Sequence, residues 1–303
     1  MSKLSVSDIR TDDDFVSSSK TVRIGTSGDT KFNTPLKPSL KQMDGLSPVR
    51  EMYRRISPET LDKCSSNSEY DRKYSESTKR QMDPGSVNIF TLAYGSTTQM
   101  PTIDQIKQMS DIQYVHTDVV VVPSWFDLIR GLDKSQCEMY FNLSDAFYHY
   151  SSCRNNKPVM ATIPTCIPND KIPKVLKHFI DMDITSFILD FNGRSLINGT
   201  WLRSFIREWD SYNIEKEGII YSMNAYQGID KKNIGNFEAK DFVGFLGGID
   251  IIGDKHIAKG CSDKTIPGFE RTKVFDSDTY LTARYSVLRM RLKNMRWNQS
   301  PTR

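Results

Sequence analysis

Two aspartates stand in short apolar runs of the kind that form buried parallel strands. Asp190 follows the run SFIL, and Asp250 lies within GGIDIIG. Carboxylates at the ends of such strands can transfer protons or attack an electrophilic carbon, and barrel enzymes place their reactive groups there. The same side chains can instead cap the next helix or pair with an arginine. Asp190 and Asp250 are therefore candidate site residues, with both roles open.

The cysteines and histidines do not indicate a metal centre. The five cysteines are Cys64, Cys137, Cys153, Cys166 and Cys261. They form no C-x-x-C or C-x-C pair, so neither a zinc cluster nor a disulfide framework is predicted. His149 and His256 have no paired carboxylate spacing that would mark a general base, and we expect them to be surface or hydrogen-bonded residues. We expect no bound metal and no cofactor.

The elements that would position the aspartates begin after Gly85, where apolar runs alternate with amphipathic ones. Seven runs are predicted to be strands buried on both faces: VNIFTLAY, DVVVVPSW, CEMYFNLS, KPVMATIP, SFILDF, GIIYSMNA and GGIDIIG. Helical patterns such as NDKIPKVLKHFIDMD lie between several of them. Repeated strand, helix, strand units favour a parallel sheet, and seven or eight favour a closed (β/α)8 barrel of the TIM type. An open doubly wound sheet is the alternative, although no G-x-G-x-x-G follows the first strand.

The N-terminal part divides into three segments by composition. Residues 1–19 are polar and rich in Ser and Asp, which predicts a flexible tail. Residues 20–42 have the pattern of a β-hairpin with Gly-Asp at its turn. Residues 44–86 are charged and contain two Ser-Pro steps, which predicts an excursion of helices and loops outside the core. The barrel should then begin near Val87, within one domain that spans 20–303.

The last amphipathic segment, SDTYLTARYSVLRMRLKNMRW, is predicted to be a helix that closes the barrel. Its apolar residues lie on one face, and basic side chains surround the rest. The basic residues are Arg284, Arg289, Arg291, Lys293 and Arg296. They could contact the phosphates of a nucleic acid or form an ordinary solvated surface with cations at a helix C-terminus. Both interpretations are open.

Composition sets broad limits. With 303 residues, 38% hydrophobic and 26% charged, the chain has the usual size of a single (β/α)8 barrel. The net charge of +4 is compatible with a polyanionic partner but is common in proteins that bind none. The N-terminus lacks the apolar core of a signal peptide, and no run of about 18 apolar residues occurs. We expect a cytoplasmic or nuclear protein without a membrane partner.

The N-terminal hairpin carries the most specific pattern of the chain. It contains, in order, Arg23-Ile24-Gly25, Thr34-Pro35, Pro38 and Lys41-Gln42. This pattern resembles the opening hairpin of archaeal tRNA-guanine transglycosylases. Two further stretches resemble that family in the same chain order: Ala161-Thr162-Ile163, similar to a mid-barrel strand, and Gly248-Ile249-Asp250, similar to the stretch before the nucleophile. The resemblance spans roughly residues 20–60 and 87–300.

The resemblance implies a barrel that binds a nucleotide flipped out of tRNA or DNA at its strand C-termini. In the family's reaction an aspartate nucleophile displaces guanine and a 7-deazaguanine is then admitted. That chemistry requires one carboxylate at the sugar, a second carboxylate for proton transfer, and polar groups that read the base edge.

Several positions of this chain depart from the family pattern. Val122-Pro123-Ser124 stands where the family has aspartate-serine-glycine, so the expected proton-transferring carboxylate is absent. Asp127 lies a turn later and could replace it only if the loop were rebuilt. Trp125, at the same predicted strand end, could stack on a base. Ser124, Trp125 and Asp127 are thus candidate substrate-binding residues, together with Asp190.

The remaining family positions are altered as well. Asn142 stands in place of the base-reading aspartate, and an amide can still hydrogen-bond a base edge. Pro164-Thr165 replaces a glutamine-glycine pair. Gly253 occupies the nucleophile position and Asp254 follows it, so a one-residue slip or bulge would make Asp254 the nucleophile, with Asp250 as the other candidate. The family's zinc motif, three closely spaced cysteines and a histidine, is missing; only Cys261 and His256 lie near its expected place, and two residues do not form a tetrahedral site.

Three functions follow from these observations. The first is a divergent base-exchange enzyme acting on tRNA or DNA. The second is a catalytically silent relative that serves as a nucleic-acid-binding or partner subunit, which the altered positions favour. The third is an unrelated barrel enzyme that acts on a small molecule. The first requires two carboxylates that converge to within about 8 Å in a pocket for a base, whereas the second predicts a filled or apolar pocket.

Overall fold

The computed structural model describes residues 4–11, 18–24, 30–39, 47–129, 134–154, 156–196, 200–214, 217–226, 236–238, 243–256, 270–276 and 281–287. The sequence predicts one domain over residues 20–303, whereas the backbone contacts group the chain into two compact units. The first unit comprises Met1–Tyr226 and Lys240–Ile257, and the second comprises Gln227–Ala239 and Ala258–Arg303.

The chain is a mixed α/β protein with parallel sheets. Its elements are, in chain order, β1 (Leu4–Thr11), β2 (Ser18–Ile24), β3 (Thr30–Thr34), β4 (Val49–Ile56), α1 (Pro58–Ser66), α2 (Ser68–Lys79), β5 (Val87–Tyr94), α3 (Ile103–His116), β6 (Val120–Val121), α4 (Lys134–Ser152), β7 (Val159–Pro164), α5 (Ile172–Asp181), β8 (Phe187–Asp190), α6 (Thr200–Ser211), β9 (Ile220–Met223), β10 (Asn236–Glu238), α7 (Val243–Leu246), β11 (Ile251–Ile252), β12 (Glu270–Asp276) and β13 (Leu281–Val287).

Parallel strands form the centre of the first unit. Five of them pair in the order β11-β9-β8-β7-β6, and β4 pairs in parallel with β5. Isolated parallel bridges join β5 to the β6 region, at Ile89 with Val119 and at Ala93 with Ser124. The segment 36–39 forms two more parallel bridges, one from Leu36 to β11 and one from Ser39 to β4.

Both faces of the parallel strands are buried, as the apolar runs predicted. On β5 the side chains of Phe90, Leu92 and Tyr94 belong to the apolar layer shared with the helices. Val87 and Ile89 belong to a second apolar cluster, which also contains residues of the N-terminal hairpin. Successive side chains of a strand point to opposite faces, so one continuous apolar run can supply both layers.

The N-terminal region is more ordered than its composition suggested. β2 and β3 form the predicted hairpin, paired antiparallel from Lys20 opposite Thr34 to Ile24 opposite Thr30. The expected flexible tail at residues 1–19 is wrong for 4–11, because β1 pairs antiparallel with β2. Leu4 is buried in the same apolar cluster as the hairpin side chains, and this contact offsets the entropy of ordering the strand.

The segment 44–86 was predicted to lie outside the core. It does contain helices α1 and α2, but residues 49–56 form β4, which pairs with β5 along its whole length. The parallel strands therefore begin well before Val87. Charged residues conceal this strand in the sequence, because Arg50 and Glu51 are themselves buried in the structure.

One predicted strand is a helix. The run CEMYFNLS lies inside α4. Its buried residues Cys137, Tyr140, Phe141, Leu143 and Ser144 include pairs three and four positions apart, which is the helical period. An eight-residue apolar window was too short to distinguish this period from a strand buried on both faces.

The predicted closing helix is also wrong over the described part of its span. Residues 281–287 form β13, which pairs antiparallel with β12 and with β10 in the second unit. Apolar residues at 281, 283, 285 and 287 follow the period of two that is typical of a strand. Arg284 lies in this strand, whereas Arg289, Arg291, Lys293 and Arg296 lie outside the described residues.

A buried ion pair attaches the hairpin to the parallel strands. Lys20 Nζ lies 3.0 Å from Asp250 Oδ2, and both side chains are 3% exposed. The backbone N–H of Ile220 also donates to Asp250 Oδ2 at 2.8 Å. The Lys20 ammonium lies 4.9 Å from the centre of the Trp209 ring. Burial raises the pKa of Asp250, and Lys20 opposes that rise.

We predict that Lys20→Met destabilises the protein by about 3–5 kcal/mol at neutral pH, because it leaves the buried Asp250 carboxylate unpaired. The loss should shrink as the pH falls toward the ordinary aspartate pKa, since the protonated Asp250 carboxyl no longer requires a cation. Urea unfolding at several pH values measures both effects. Lys31→Met, an exposed change in the same hairpin, is the control and should cost less than about 0.5 kcal/mol. Equal losses for the two variants would contradict the assignment.

Candidate functional site

Polar side chains converge on Asp190, the last residue of β8. Its Oδ2 accepts a hydrogen bond from Ser124 Oγ at 2.7 Å. Its Oδ1 accepts from Asn224 Nδ2 and from the Asn192 backbone N–H, each at 3.0 Å. Burial raises the pKa of Asp190, although these three donors oppose the rise. The result is a strand-end carboxyl that keeps its proton to a higher pH than an ordinary aspartate.

The backbone around Asp190 adopts uncommon conformations. Asn192 has φ 44° and Asn224 has φ 58°, both in the left-handed region. Asp183 and Asn213 also have positive φ, but they follow the helices α5 and α6, where a left-handed residue commonly ends a helix. Asn192 and Asn224 instead follow strands. Such conformations persist only where the surrounding contacts hold them in place, and they are frequent at functional sites.

A second buried carboxylate comes from β4. Glu51 Oε1 lies 2.9 Å from His256 Nε2, and Glu51 Oε2 accepts from the backbone N–H of Asp254 at 2.8 Å. The backbone N–H of His256 donates to Asn224 Oδ1 at 2.9 Å. The His256 ring stacks on Tyr53 with centres 4.9 Å apart and planes inclined by 9°. Asn224 therefore connects Glu51 and His256 to Asp190, and we call Glu51, Tyr53, Asp190, Asn224 and His256 the strand-end cluster.

The electrostatics of the cluster favour a protonated imidazole. Burial lowers the pKa of His256, but Glu51, Asp254 and Asp190 outweigh it, and the net pKa is raised. Burial, followed by the charge of Asp190, raises the pKa of Tyr53. The tyrosine is therefore a neutral stacking partner at physiological pH, and Glu51 faces an imidazole that keeps its proton to a higher pH than an ordinary histidine.

Sequence reasoning missed this pair. The sequence predicts that His256 is a surface or hydrogen-bonded residue, and the structure confirms a hydrogen bond, but no spacing pointed to Glu51 as its partner. The partner is 205 residues away in the sequence, so local spacing could not reveal it. A usable signal was present in β4, where strand alternation places Val49, Glu51 and Tyr53 on one face. That signal depends on recognising residues 49–56 as a strand.

Gly253, at the position of the expected nucleophile, has no room for a side chain. A Cβ there would lie 2.5 Å from Tyr221 Cε2, 2.7 Å from Glu51 Oε1 and 2.7 Å from Ser222 O. Real Cβ atoms essentially never approach other heavy atoms so closely. Glu51 and Tyr221 thus fill the space that an aspartate at 253 would need.

The two candidate nucleophiles lie at different ends of the parallel strands. Asp254 follows β11 and is adjacent to the cluster, where its side chain pairs with Lys37 at 3.5 Å. Asp250 precedes β11, and its carboxylate binds Lys20 and the Ile220 backbone N–H instead. The structure does not bring Asp250 to the cluster, and its contacts are those of a structural anchor.

Of the other candidate residues, Ser124 contacts Asp190, whereas Trp125 and Asn142 do not face the cluster. Ser124 is part of the hydrogen-bond network described above. Asp127 forms an ion pair with Arg55 at 2.6 Å. Trp125 is fully buried in the apolar layer between strands and helices, so it cannot stack on a base. Asn142 is exposed on α4 rather than at a strand end, because its segment is helical.

Three further observations bear on the function: on metal sites, on membrane-crossing helices and on similar proteins. Within the described ranges no group of three or more His, Cys, Asp or Glu residues could hold a metal ion, and Cys261 lies outside those ranges. None of the helices that the structure describes is long and apolar enough to cross a bilayer. No protein-family model matches the chain, and no curated protein matches it significantly.

We predict that Gly253→Ala destabilises the protein by about 1–3 kcal/mol or more, because the added methyl group must displace Glu51, Tyr221 or the backbone of Ser222. Urea unfolding measures the loss. The NMR titration of His256 should change as well, because Glu51 is its hydrogen-bond partner.

Gly85→Ala is the matched control. A Cβ at Gly85 would meet its nearest heavy atom at 3.5 Å, an ordinary contact. This variant should unfold within about 0.5 kcal/mol of the parent protein. A Gly253→Ala protein with unchanged stability and an unchanged His256 titration would show that the site has space for a side chain.

Proposed function

We propose that the first unit is a closed (β/α)8 barrel. The support is a continuous series of backbone contacts: 36–39, β4, β5, β6, β7, β8, β9 and β11 each contact the next in parallel. The segment 36–39 bridges the last strand of this series to the first through Leu36 and Ser39. A ring of parallel strands has no free edge and directs all strand carboxyl ends to one mouth.

We propose that the strand-end cluster breaks and remakes the N-glycosidic bond of a nucleotide in tRNA or DNA, as the resemblance to tRNA-guanine transglycosylases suggests. The observation that carries this proposal is the buried Asp190 carboxyl, with its raised pKa, held by Ser124 and Asn224 at a strand end. Such a group is suited to deliver a proton at a higher pH than an ordinary aspartate can.

In the proposed reaction Asp190 protonates the leaving guanine while the bond between sugar carbon and base nitrogen breaks. The bonding electron pair leaves with the base, and the sugar carbon becomes electron-deficient. An incoming 7-deazaguanine then forms the new bond through its ring nitrogen and returns a proton to Asp190. The step is balanced and needs no oxidant, reductant or metal.

Cationic side chains near Asp190 and His256 support a phosphate-bearing substrate. Lys37 and Arg55 pair with the acidic residues that adjoin the cluster. Arg194 is exposed beyond β8, and its Nη1 donates to Thr165 O at 2.6 Å. Lys255 precedes His256 in the chain. Cationic side chains beside such a site can contact the phosphates of a bound nucleic acid.

A silent partner subunit is the second candidate. It is favoured by the exposed position of Asn142, the full burial of Trp125 and the filled space at Gly253. In this case the strand-end cluster would hold the barrel together without acting on a substrate. The same experiment separates the two candidates.

We predict that the protein incorporates labelled guanine or a 7-deazaguanine into tRNA or duplex DNA, and that Asp190→Asn lowers the rate about 10²- to 10⁴-fold. The amide that replaces the carboxyl group has the same size but no carboxyl proton to transfer. The measurement is label retained in acid-precipitated nucleic acid over time, with both substrates tested separately.

Asp181→Asn is the control, because Asp181 is an exposed carboxylate at the end of α5 that pairs with Lys177. It should retain the parental rate, and unfolding curves should show that all proteins tested are folded. No exchange by the folded parent protein on either substrate would favour the silent subunit. Exchange that survives Asp190→Asn would exclude Asp190 as the proton donor.

A further inference from the structure

We infer that Glu51 is the carboxylate that stabilises the electron-deficient sugar carbon, and that His256 is the positioning residue that covers it. The inference rests on the proposed function, because it assigns a role in the same reaction. It also concerns a residue that neither the sequence motifs nor the resemblance singled out. The packing at Gly253 is the first observation that supports it.

Glu51 occupies the space that residue 253 leaves empty. The Glu51 Oε1 atom lies 2.7 Å from the place where a Cβ of residue 253 would stand. A side chain at residue 253 and the Glu51 carboxylate therefore exclude one another. Glycine at 253 is what allows Glu51 to reach this point from β4.

The Glu51 carboxylate is held in a fixed orientation. The backbone N–H of Asp254 donates to Oε2, and His256 Nε2 lies 2.9 Å from Oε1. Through His256 and Asn224, Glu51 is tied to Asp190 in one hydrogen-bond network. The network holds a carboxyl with a raised pKa, Asp190, and a second carboxyl, Glu51, that faces an imidazole with a raised pKa; glycosidic bond cleavage requires two carboxyl groups in different environments.

Asp254, the neighbouring candidate, is arranged differently. Its side chain is 21% exposed and pairs with Lys37, which is itself 32% exposed. It contributes to the network through its backbone, whose N–H donates to Glu51 and whose carbonyl accepts from Asn224 N at 3.0 Å. The Asp254 side chain can therefore be changed while the network is kept.

His256 shields Glu51 in the free protein. The Glu51 side chain is 2% exposed and the His256 side chain is 18% exposed. The imidazolium supplies the positive charge that a buried carboxylate needs. A substrate whose sugar carbon becomes cationic would take over that role, so the His256 ring must move away from Glu51 when substrate binds. The stack on Tyr53 holds the ring in the covering position.

A cationic probe tests this assignment without requiring turnover. The probe is a nucleoside analogue in which a protonated pyrrolidine replaces the sugar, and binding is measured by calorimetry. We expect Glu51→Gln to weaken binding about 10- to 100-fold, because the probe's charge then faces a neutral amide. Asp181→Asn, which removes an exposed carboxylate outside the cluster, should bind within about twofold of the parent protein. Glu51→Asp, which keeps the charge on a shorter side chain, should fall between the two.

The pH dependence of probe binding tests the covering role of His256. The titratable and charged groups that face its ring are Glu51 and Tyr53 from β4, Asp190 from β8, and Asp254 beside it. As the pH rises and His256 loses its proton, the parent protein should bind the probe more tightly. His256→Gln keeps a hydrogen-bonding side chain but cannot titrate, so that increase should be smaller in this variant than in the parent protein.

The outcomes distinguish this inference from the proposed function. Base exchange that is lost in Asp190→Asn but kept in Glu51→Gln would overturn the role of Glu51 and leave the proposed function intact. Probe binding that depends on Glu51, in a protein that exchanges no base, would support the assignment and refute base exchange as the reaction. Equal probe affinity of the parent protein and Glu51→Gln, or no binding by the folded parent protein, would overturn the inference.

Discussion

A carboxylate removed from water must be protonated, hydrogen-bonded or paired, and the first unit meets this requirement at both ends of its parallel strands. Near the start of β11, Asp250 is paired with a lysine supplied by the N-terminal hairpin. At the carboxyl ends, Asp190 is held by neutral donors and Glu51 by an imidazole. The first arrangement is an ion pair that joins two parts of the fold. The second can change its protonation, which is what a chemical site requires.

The pattern of the sequence was sufficient for the strands that are apolar on both faces. Runs such as VNIFTLAY and KPVMATIP contain β5 and β7. The pattern was misleading for β4, where charged side chains are buried, and for α4, where apolar side chains are dense in a helix. β4 contains Arg50 and Glu51, whose burial depends on partners elsewhere in the fold, so the strand resembles a surface segment. In α4 the apolar residues are dense enough that a short window resembles a buried strand.

The site was predictable only for the residues that stand at the end of an apolar run. Asp190 could be selected because it ends an apolar run, and Ser124 because it follows one; the structure joins the two at 2.7 Å. The Glu51 and His256 pair could not be found by spacing, because it forms only when β4 approaches the end of β11. Trp125 shows the opposite error. It follows a strand, as a base-stacking residue would, but its side chain turns into the helical layer and is fully buried.

The side-chain amide of Asn224 lies between Asp190 and His256 and determines whether a proton can pass between them. Its Oδ1 faces the backbone N–H of His256, which can only donate, so its Nδ2 is left to face Asp190. An amide joined in this way fixes the direction of both hydrogen bonds but does not pass a proton along them, since it neither gains nor loses one in this pH range. Asn224 thus fixes the positions of Asp190 and His256 relative to one another, but it does not transfer a proton between Asp190 and the Glu51 and His256 pair. A proton that reaches or leaves either carboxyl must therefore travel by a route that does not pass through Asn224.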